Sequence, residues 1–425
     1  MSLFNQTVLK TSNSLKPLFT SNVKYKKSFD LLKVPERIIS FRVLWEDDNK
    51  NMRINTGYRV QHNSTLGPYK GGIRFNKNVT VDTMKFLAYE QTLKNSLTGL
   101  QLGGAKGGSD FDPSDKSISE IRRFCFSFMD GLYNYIGPET DIPAGDIGVG
   151  QREVDLMYGR YKLLSNKQEG SMTGKSIDNG GSLLRLESTG YGCVYFLDNM
   201  LKDNNDSIVN KNIILTGYGN VSRYTAEKIL ELGGNVISFS DSKGSFIFNN
   251  KLTKNDLNLI KTLDPTKDNI ENINLDGIYY KSKKPWNIIN SDIIITCATE
   301  NEMCKNDIKY ILKSNNKYII EASNMGIDNN CIDIFKKNNI IFAPSKAVNL
   351  GGVTVSGLEM IQNSQKIKWT EKEIDLFLKN TMLNTYNNCI DTSLKYLNKK
   401  DILIGSDIYA FLKISNVLEK QGLIY

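Results

Sequence analysis

The sequence predicts an α/β protein of two domains: an N-terminal mixed α/β domain, then one built on a parallel sheet. Three observations carry this. Upstream of residue 174, long strand candidates sit beside glycine-rich runs that carry single lysines. Between residues 174 and 192 Gly and Ser accumulate, as at a hinge. Beyond it, short apolar runs alternate with helical periodicity, the pattern of parallel strands joined by crossover helices.

The bulk properties agree. A chain of 425 residues is long enough for two or three domains with real cores. Apolar content of 40% and charged content of 24% are ordinary for a globular protein. No apolar run approaches the ~18 to 20 residues of a membrane span, and Ile293-Ile294-Ile295 reads as a buried strand. Six cysteines (Cys125, Cys193, Cys297, Cys304, Cys331, Cys389) show no CxxC and no metal-ligand spacing, which argues against a disulfide framework and a zinc site. The net charge of +8 comes from lysines interleaved with asparagine, without an arginine-aromatic stripe, so it reads as solvated loops and not as a nucleic-acid surface. The first 29 residues hold five lysines and no acid, a transit-like composition. They also lack arginine, and Val8, Leu9, Leu15, Leu18 and Phe19 form a packed helix face. They are expected to be the folded N-terminus of a cytoplasmic protein.

Residues 38–45 alternate only loosely and are expected to form a mostly buried strand, with 53–62 as a second. Asp82 is expected to cap a helix through Met84, Phe86, Leu87 and Leu93, on which Gln91 and Lys94 share a face. Ser117 to Glu120 is a capping box ahead of Ile121, Phe124, Phe128 and Leu132. After the hinge come a strand at 213–215, a helix at 221–232 and a strand at 236–239. Further strands fall at 292–296, 318–321 and 340–342. Helices follow at 354–365 and from Thr370, and a final helix at 408–421 returns to the first domain. Residues 1–184 and 402–425 thus make one domain and 185–401 the other.

The chemistry concentrates in lysines beside glycine. Lys106 lies in Gly103-Gly104-Ala105-Lys106-Gly107-Gly108, a setting in which backbone approaches a ligand closely. Lys70 stands in Gly67-Pro68-Tyr69-Lys70-Gly71-Gly72, and Lys94 follows on the predicted helix. Three lysines suit an anionic substrate. Asp146, in Pro143-Ala144-Gly145-Asp146-Ile147-Gly148, is a second glycine-flanked ionisable group. His62 is the single histidine and falls mid-strand, where a structural role is expected, so proton transfer falls to Lys, Asp, Glu, Tyr or Cys. Lys106 suits it if burial and nearby Lys70 and Lys94 lower its pKa, and Asp146 is another candidate. Gly217-x-Gly219-x-x-Ser222 lies between a strand and a helix. Gly217 makes the turn and Gly219 admits a pyrophosphate at the helix N-terminus, which predicts a Rossmann-type dinucleotide site. Asp241 after the second strand suits a ribose 2′-OH and NAD; Ser242 and Lys243 beside it suit a 2′-phosphate and NADP.

These residues match a known pattern. Over nearly its whole length the chain resembles the hexameric glutamate dehydrogenases, especially the microbial and fungal NADP-dependent branch. Pro35-Glu36-Arg37, Gly67 to Phe75, Gly103 to Asp112, Pro143 to Gly150 and Gly351 to Glu359 carry the likeness. It implies a substrate-binding and oligomerisation domain ahead of the dinucleotide domain, and a homohexamer. It implies reductive amination of 2-oxoglutarate by ammonium to L-glutamate, with NADP(H) favoured over NAD(H) by Ser240-Asp241-Ser242-Lys243-Gly244.

Lys106 would polarise the keto group and Asp146 relay protons. Gln91, Lys94 and the backbone of Gly145 would take the α-carboxylate, Lys70 and Ser356 the distal one. Thr189, Asn220, Val221 and Asn324 would meet the cofactor. Leucine, valine and phenylalanine dehydrogenases carry an apolar residue in place of Lys70, so Lys70 points to a dicarboxylate. An NAD-dependent enzyme and a non-catalytic descendant are the alternatives. The chain departs from the pattern at Leu186, Glu300 and Asp407, where Pro, Gln and Asn are usual, and it begins later than many members.

Overall fold

The computed structural model describes residues 2–265 and 268–424. In chain order, α1 (Leu3–Ser14), α2 (Lys16–Ser21) and α3 (Val23–Leu32) precede strands β1 (Arg37–Glu46), β2 (Met52–Asn63) and β3 (Tyr69–Phe75). Next come α4 (Val81–Leu97), β4 (Gly104–Ser109), α5 (Ile118–Leu132), β5 (Asp141–Gly145) and α6 (Gln151–Ser165). These five strands form one mixed sheet in the order β1-β2-β4-β3-β5. β4, β3 and β5 run parallel, and β2 alone runs against the rest, pairing antiparallel with both β4 and the edge strand β1.

The second half begins with α7 (Ser188–Asp203), β6 (Asn212–Leu215), α8 (Asn220–Glu231), β7 (Asn235–Ser240) and β8 (Gly244–Phe248). It continues with α9 (Lys254–Thr262), β9 (Gly277–Lys281), β10 (Ile293–Thr296), α10 (Ile308–Ile311), β11 (Tyr318–Glu321) and α11 (Asn329–Lys337). Last come β12 (Ile341–Ala343), α12 (Ser345–Val348), α13 (Gly351–Gln365), α14 (Glu371–Leu397) and α15 (Ile402–Lys420). The sheet order is β12-β11-β10-β6-β7-β8-β9. The order reverses at β6, and ligands of such sheets bind at that switch point, beyond the strand C-termini. Strands β10 and β11 are fully buried, as their unbroken apolar runs require. α15 leaves the second sheet and packs on α4 and α3, so the last helix does return.

Several expectations are corrected. β1 is an edge strand, with Ile38 and Leu44 exposed while Val43 and Trp45 are buried, not a mostly buried one. Leu9 is exposed on the N-terminal helix face, unlike Leu15 and Leu18, which are fully buried. Thr80 caps α4, its hydroxyl accepting from Thr83 N, and Asp82 stands within the first turn. α13 and α15 begin earlier than residues 354 and 408. The glycine-rich stretch to residue 192 is not all hinge, because α7 opens at Ser188. There Gly190 lets α7 meet α8: a methyl at Gly190 would lie 2.5 Å from Thr225 N.

Candidate active site

The glycine bed around Lys106 proves to be strand β4, buried at every position. Its glycines serve packing first. A side chain at Gly104 would collide with Thr92 of α4, and one at Gly71 of β3 with the Ala105 carbonyl. The tight sheet-helix layer this permits brings Lys106, Lys70 and α4 to one cleft of about 830 Å³, within the range of ligand cavities. On β3, Lys70, Gly72 and Arg74 face one way, as a period of two demands. Gly72 leaves room for Asp146, whose Cβ would lie 2.9 Å from an added methyl.

At the centre, Lys106 Nζ lies 3.2 Å from Asp146 Oδ1, and Arg74 Nε donates to Asp146 Oδ2 at 2.7 Å. Burial alone would raise the Asp146 pKa, but Lys106 and Arg74 outweigh it and hold the carboxyl below its usual range. Burial lowers the Lys106 pKa, with Asp146 opposing and Arg74 assisting. An ionised acid beside a lysine of weakened charge is a proton acceptor and donor in contact.

The other two lysines lack such a partner. Lys70 is 1% exposed and donates only to the Ile142 carbonyl, at 3.0 Å. Burial, Arg59 and Arg185 push its pKa well below the lysine value, against Glu359 and Asp141. Lys94 is pushed down to about 7 by burial and by Lys106 and Arg185, with Asp146 and Glu90 opposing. Among the described residues, neither lysine forms an ion pair. Gln91 donates to Asn95 Oδ1 at 2.6 Å, and Asn95 donates to the Lys70 and Gly103 carbonyls, which ties the α4 face to β3.

Gly145, Thr189, Val221, Asn324 and Ser356 line the same cleft, as does Glu300. Gly217, Gly219, Asn220, Asp241, Ser242 and Lys243 do not; they form the adjoining turns. Gly217 adopts φ +68°, donates to Ser240 Oγ at 2.9 Å and abuts Ala298 at the cleft edge. Ser222 Oγ donates to the Gly217 carbonyl at 3.0 Å, so a serine closes this loop well. At Gly219 an added methyl would meet nothing within 4 Å, which leaves space above the N-terminus of α8. Asp241 Oδ1 already accepts from Lys243 N, Gly244 N and Tyr279 OH, so it shapes the turn that presents Ser242 and Lys243. Asp241 Oδ2 is buried without a hydrogen-bond partner among the described residues.

His62 is buried among Phe4 and Tyr89, its Nε2 is 2.9 Å from the Leu32 carbonyl, and burial pushes its pKa down to about 4. It stands outside the cleft. Sequence reasoning missed Arg74, Arg185, Glu90 and Lys346, which line the cleft too. Arg74 was within reach, since four residues along a strand from Lys70 means the same face.

Comparisons with known proteins agree with this geometry. A family model described as Glutamate/Leucine/Phenylalanine/Valine dehydrogenase matches residues 180–422, and one described as the Glu/Leu/Phe/Val dehydrogenase dimerisation domain matches 35–163. The chain is 43% identical to the NADP-specific glutamate dehydrogenase of Giardia intestinalis, covering 100% of this chain and 96% of that one. It is 44% identical to the enzyme of the same name from Botryotinia fuckeliana, covering 99% and 96%. Among solved structures, glutamate dehydrogenase 2 of Plasmodium falciparum superposes with a TM-score of 0.95 at 46% identity, over 99% of this chain and 93% of that one. With two family models spanning most of its length and relatives above 40% identity end to end, the chain belongs to the Glu/Leu/Phe/Val dehydrogenase family.

Proposed function

We propose that this chain is an NADP-dependent glutamate dehydrogenase, catalysing reversible reductive amination of 2-oxoglutarate with ammonia and NADPH to L-glutamate. The observation that carries the substrate is the pair of buried lysines, Lys70 and Lys94, that line one cleft with Lys106 and Asp146 and have no carboxylate partner among the described residues. Buried charge is tolerated when a counter-charge arrives. A dicarboxylate brings two, and its keto carbon then falls between them. The full-length likeness to enzymes named NADP-specific glutamate dehydrogenase supports both the reaction and the cofactor.

In this reading Lys94, Gln91 and the Gly145 backbone hold the α-carboxylate, while Lys70 and Ser356 hold the distal one. Lys106 donates a hydrogen bond to the keto oxygen, drawing charge from the carbon that ammonia attacks. Asp146 relays two protons in turn from the added nitrogen to the former keto oxygen, which leaves as water and so leaves the imine behind. NADPH, when bound, would supply the hydride for the imine carbon, and Lys106, charged beside Asp146, would supply the proton the nitrogen then takes. The residues that would hold the cofactor are Thr189, Asn220, Val221 and Asn324, with the turn from Gly217 to Gly219 at its pyrophosphate. Ser242 and Lys243 would meet the 2′-phosphate, with Asp241 ordering their turn. Closure of the two domains over the reactants would expel water, so that the imine survives to be reduced.

We divide the chain into residues 1–184 with 402–425, which hold most of the substrate, and 185–401, which hold the cofactor and lend Ser356 to the distal carboxylate. Self-association, as a homohexamer, accords with the family and with the apolar face of Ile38, Leu44, Met52 and Ile54, exposed on β1 and β2. No helix among the described residues is long and apolar enough to cross a membrane, and we place the enzyme in the cytoplasm. The deciding experiment follows loss of reduced-nicotinamide absorbance with 2-oxoglutarate and ammonium. Fast oxidation of NADPH and slow oxidation of NADH is expected. Preference for NADH would overturn the cofactor assignment, and silence with both would overturn the reaction.

A further inference from the structure

Four lysines line the cleft, and the roles above use three. The fourth, Lys346, lies on the four-residue helix α12, with its side chain only 11% exposed. Its Nζ is 2.5 Å from Asp407 Oδ1 on α15, a side chain 1% exposed, and 3.7 Å from Glu90 Oε2 on α4. Burial works against the ammonium, but Asp407 and Glu90 outweigh it and hold Lys346 firmly charged. The chain carries an acid at 407, so the lysine has a full counter-charge on one side and a second within reach.

The neighbours of Lys346 reach the other way. Ser345 N donates to Glu321 Oε2 at 2.8 Å, and the other oxygen of Glu321 accepts from Ile327 N at 3.1 Å. Asn349 Nδ2 donates to the Ala322 carbonyl at 3.2 Å and to Asn324 Oδ1 at 2.8 Å. One short segment, 345–349, therefore grips the loop that carries Asn324 with one set of bonds. On the other side Lys346 is hydrogen-bonded to Asp407 of α15 and ion-paired at 3.7 Å with Glu90 of α4, the helix that carries Gln91 and Lys94. Glu90 is adjacent to Gln91 and one helical turn before Lys94, so a shift of α4 moves all three together.

We infer that Lys346 is a positioning residue that couples the oxo-acid side of the cleft to the cofactor side through α12. This rests on the reading that both ligands share the cleft. Seating a carboxylate on Lys94 fixes α4 and Glu90; Lys346 follows, and α12 sets Asn324 for the nicotinamide end of the cofactor. A coupling of this kind is a difference in affinity, and it is reciprocal between the two ligands.

The test is equilibrium titration of NADPH by its fluorescence, with and without 2-oxoglutarate, omitting ammonium so that no turnover occurs. In the native protein, 2-oxoglutarate tightens NADPH binding by about 5-fold or more. In Glu90→Gln, which leaves the buried Lys346–Asp407 pair in place, the factor falls toward one. Lys346→Met loses it as well, and Lys346→Arg restores most of it. A merely structural lysine would lower stability in Lys346→Met but leave the factor intact in Glu90→Gln, and that result overturns the inference even where Lys346→Met does not fold. Absence of coupling in the native protein also overturns it. Failure of the native protein to bind NADPH at all removes the reading on which the inference rests, and the inference with it.

Discussion

Lys70 and Lys175 are both sealed from solvent, yet they are satisfied in opposite ways. Lys175 donates to the Met172 carbonyl at 2.5 Å, Glu359 Oε1 at 2.7 Å and Asn363 Oδ1 at 2.8 Å, and Glu359 in turn accepts from Gly174 N. Every proton is used and the charge is balanced, so the group clamps the segment at 172–175 to α13. Lys70 donates to one carbonyl, and burial with Arg59 and Arg185 outweighs Glu359 and Asp141, neither of which pairs with it. The protein holds it at a disadvantage. A buried lysine with a complete shell is scaffold, whereas one without a counter-charge is matched to a charge that comes with a ligand.

The sharpest break of this comparison is Lys106→Met, which removes the group next to the reacting carbon. We expect kcat to fall by ~10³ to 10⁴, with the fold and NADPH binding retained. A loss of less than about 10-fold would place the acid-base work elsewhere. On the scaffold side, Lys175→Met leaves Glu359 buried without its cation. That should cost about 3 to 5 kcal/mol in denaturant unfolding, with kcat per folded molecule little changed. If instead stability held and activity vanished, the two lysines would not differ as argued.

The electrostatics sharpen it further. Burial, with Lys106 and Arg185, leaves Lys94 charged only below about 7. Carboxylate binding needs the ammonium, so kcat/KM for 2-oxoglutarate should decline as pH rises through about 7 in the free enzyme. Bound carboxylate raises that pKa, and the matching decline in kcat should shift to higher pH. A kcat/KM flat from about pH 6 to 9 would contradict this. The smallest effect is expected at Lys243, which is exposed and whose ammonium donates to Asn269 Oδ1 at 3.2 Å. Lys243→Ala should raise KM for NADPH about 3- to 10-fold and leave KM for NADH unchanged.

The regions also differ in how openly the sequence announces them. Lys70, Lys94, Lys106 and Asp146 stand out because each sits in or beside motifs with strong local character, and all four reach the cleft. The strands β10 and β11 are equally plain, since a buried parallel strand needs an unbroken apolar run. What misleads is glycine inside a helix. α13 starts at Gly351 because a side chain there would collide with the Ser188 carbonyl, and α15 contains Gly405 because one there would collide with Cys389. Both read locally as breaks, and both mark places where two backbones meet. β8 and β9 went unnoticed for another reason. They extend the parallel sheet by antiparallel pairing, and β9 is half-buried with two tyrosines, so neither strand repeats the pattern before it. The Lys346 cluster joins three elements far apart in sequence, and no local window holds it.

The most direct test of the central claim is the ratio of kcat/KM for 2-oxoglutarate to that for 2-oxopentanoate, which lacks the distal carboxylate, in the native protein and in Lys70→Leu. If Lys70 is the buried charge that awaits that carboxylate, the native ratio is large and falls by about 30-fold or more in the variant, chiefly through loss of the dicarboxylate. A ratio that survives the substitution would contradict the account, because Lys70 would then be scaffold like Lys175.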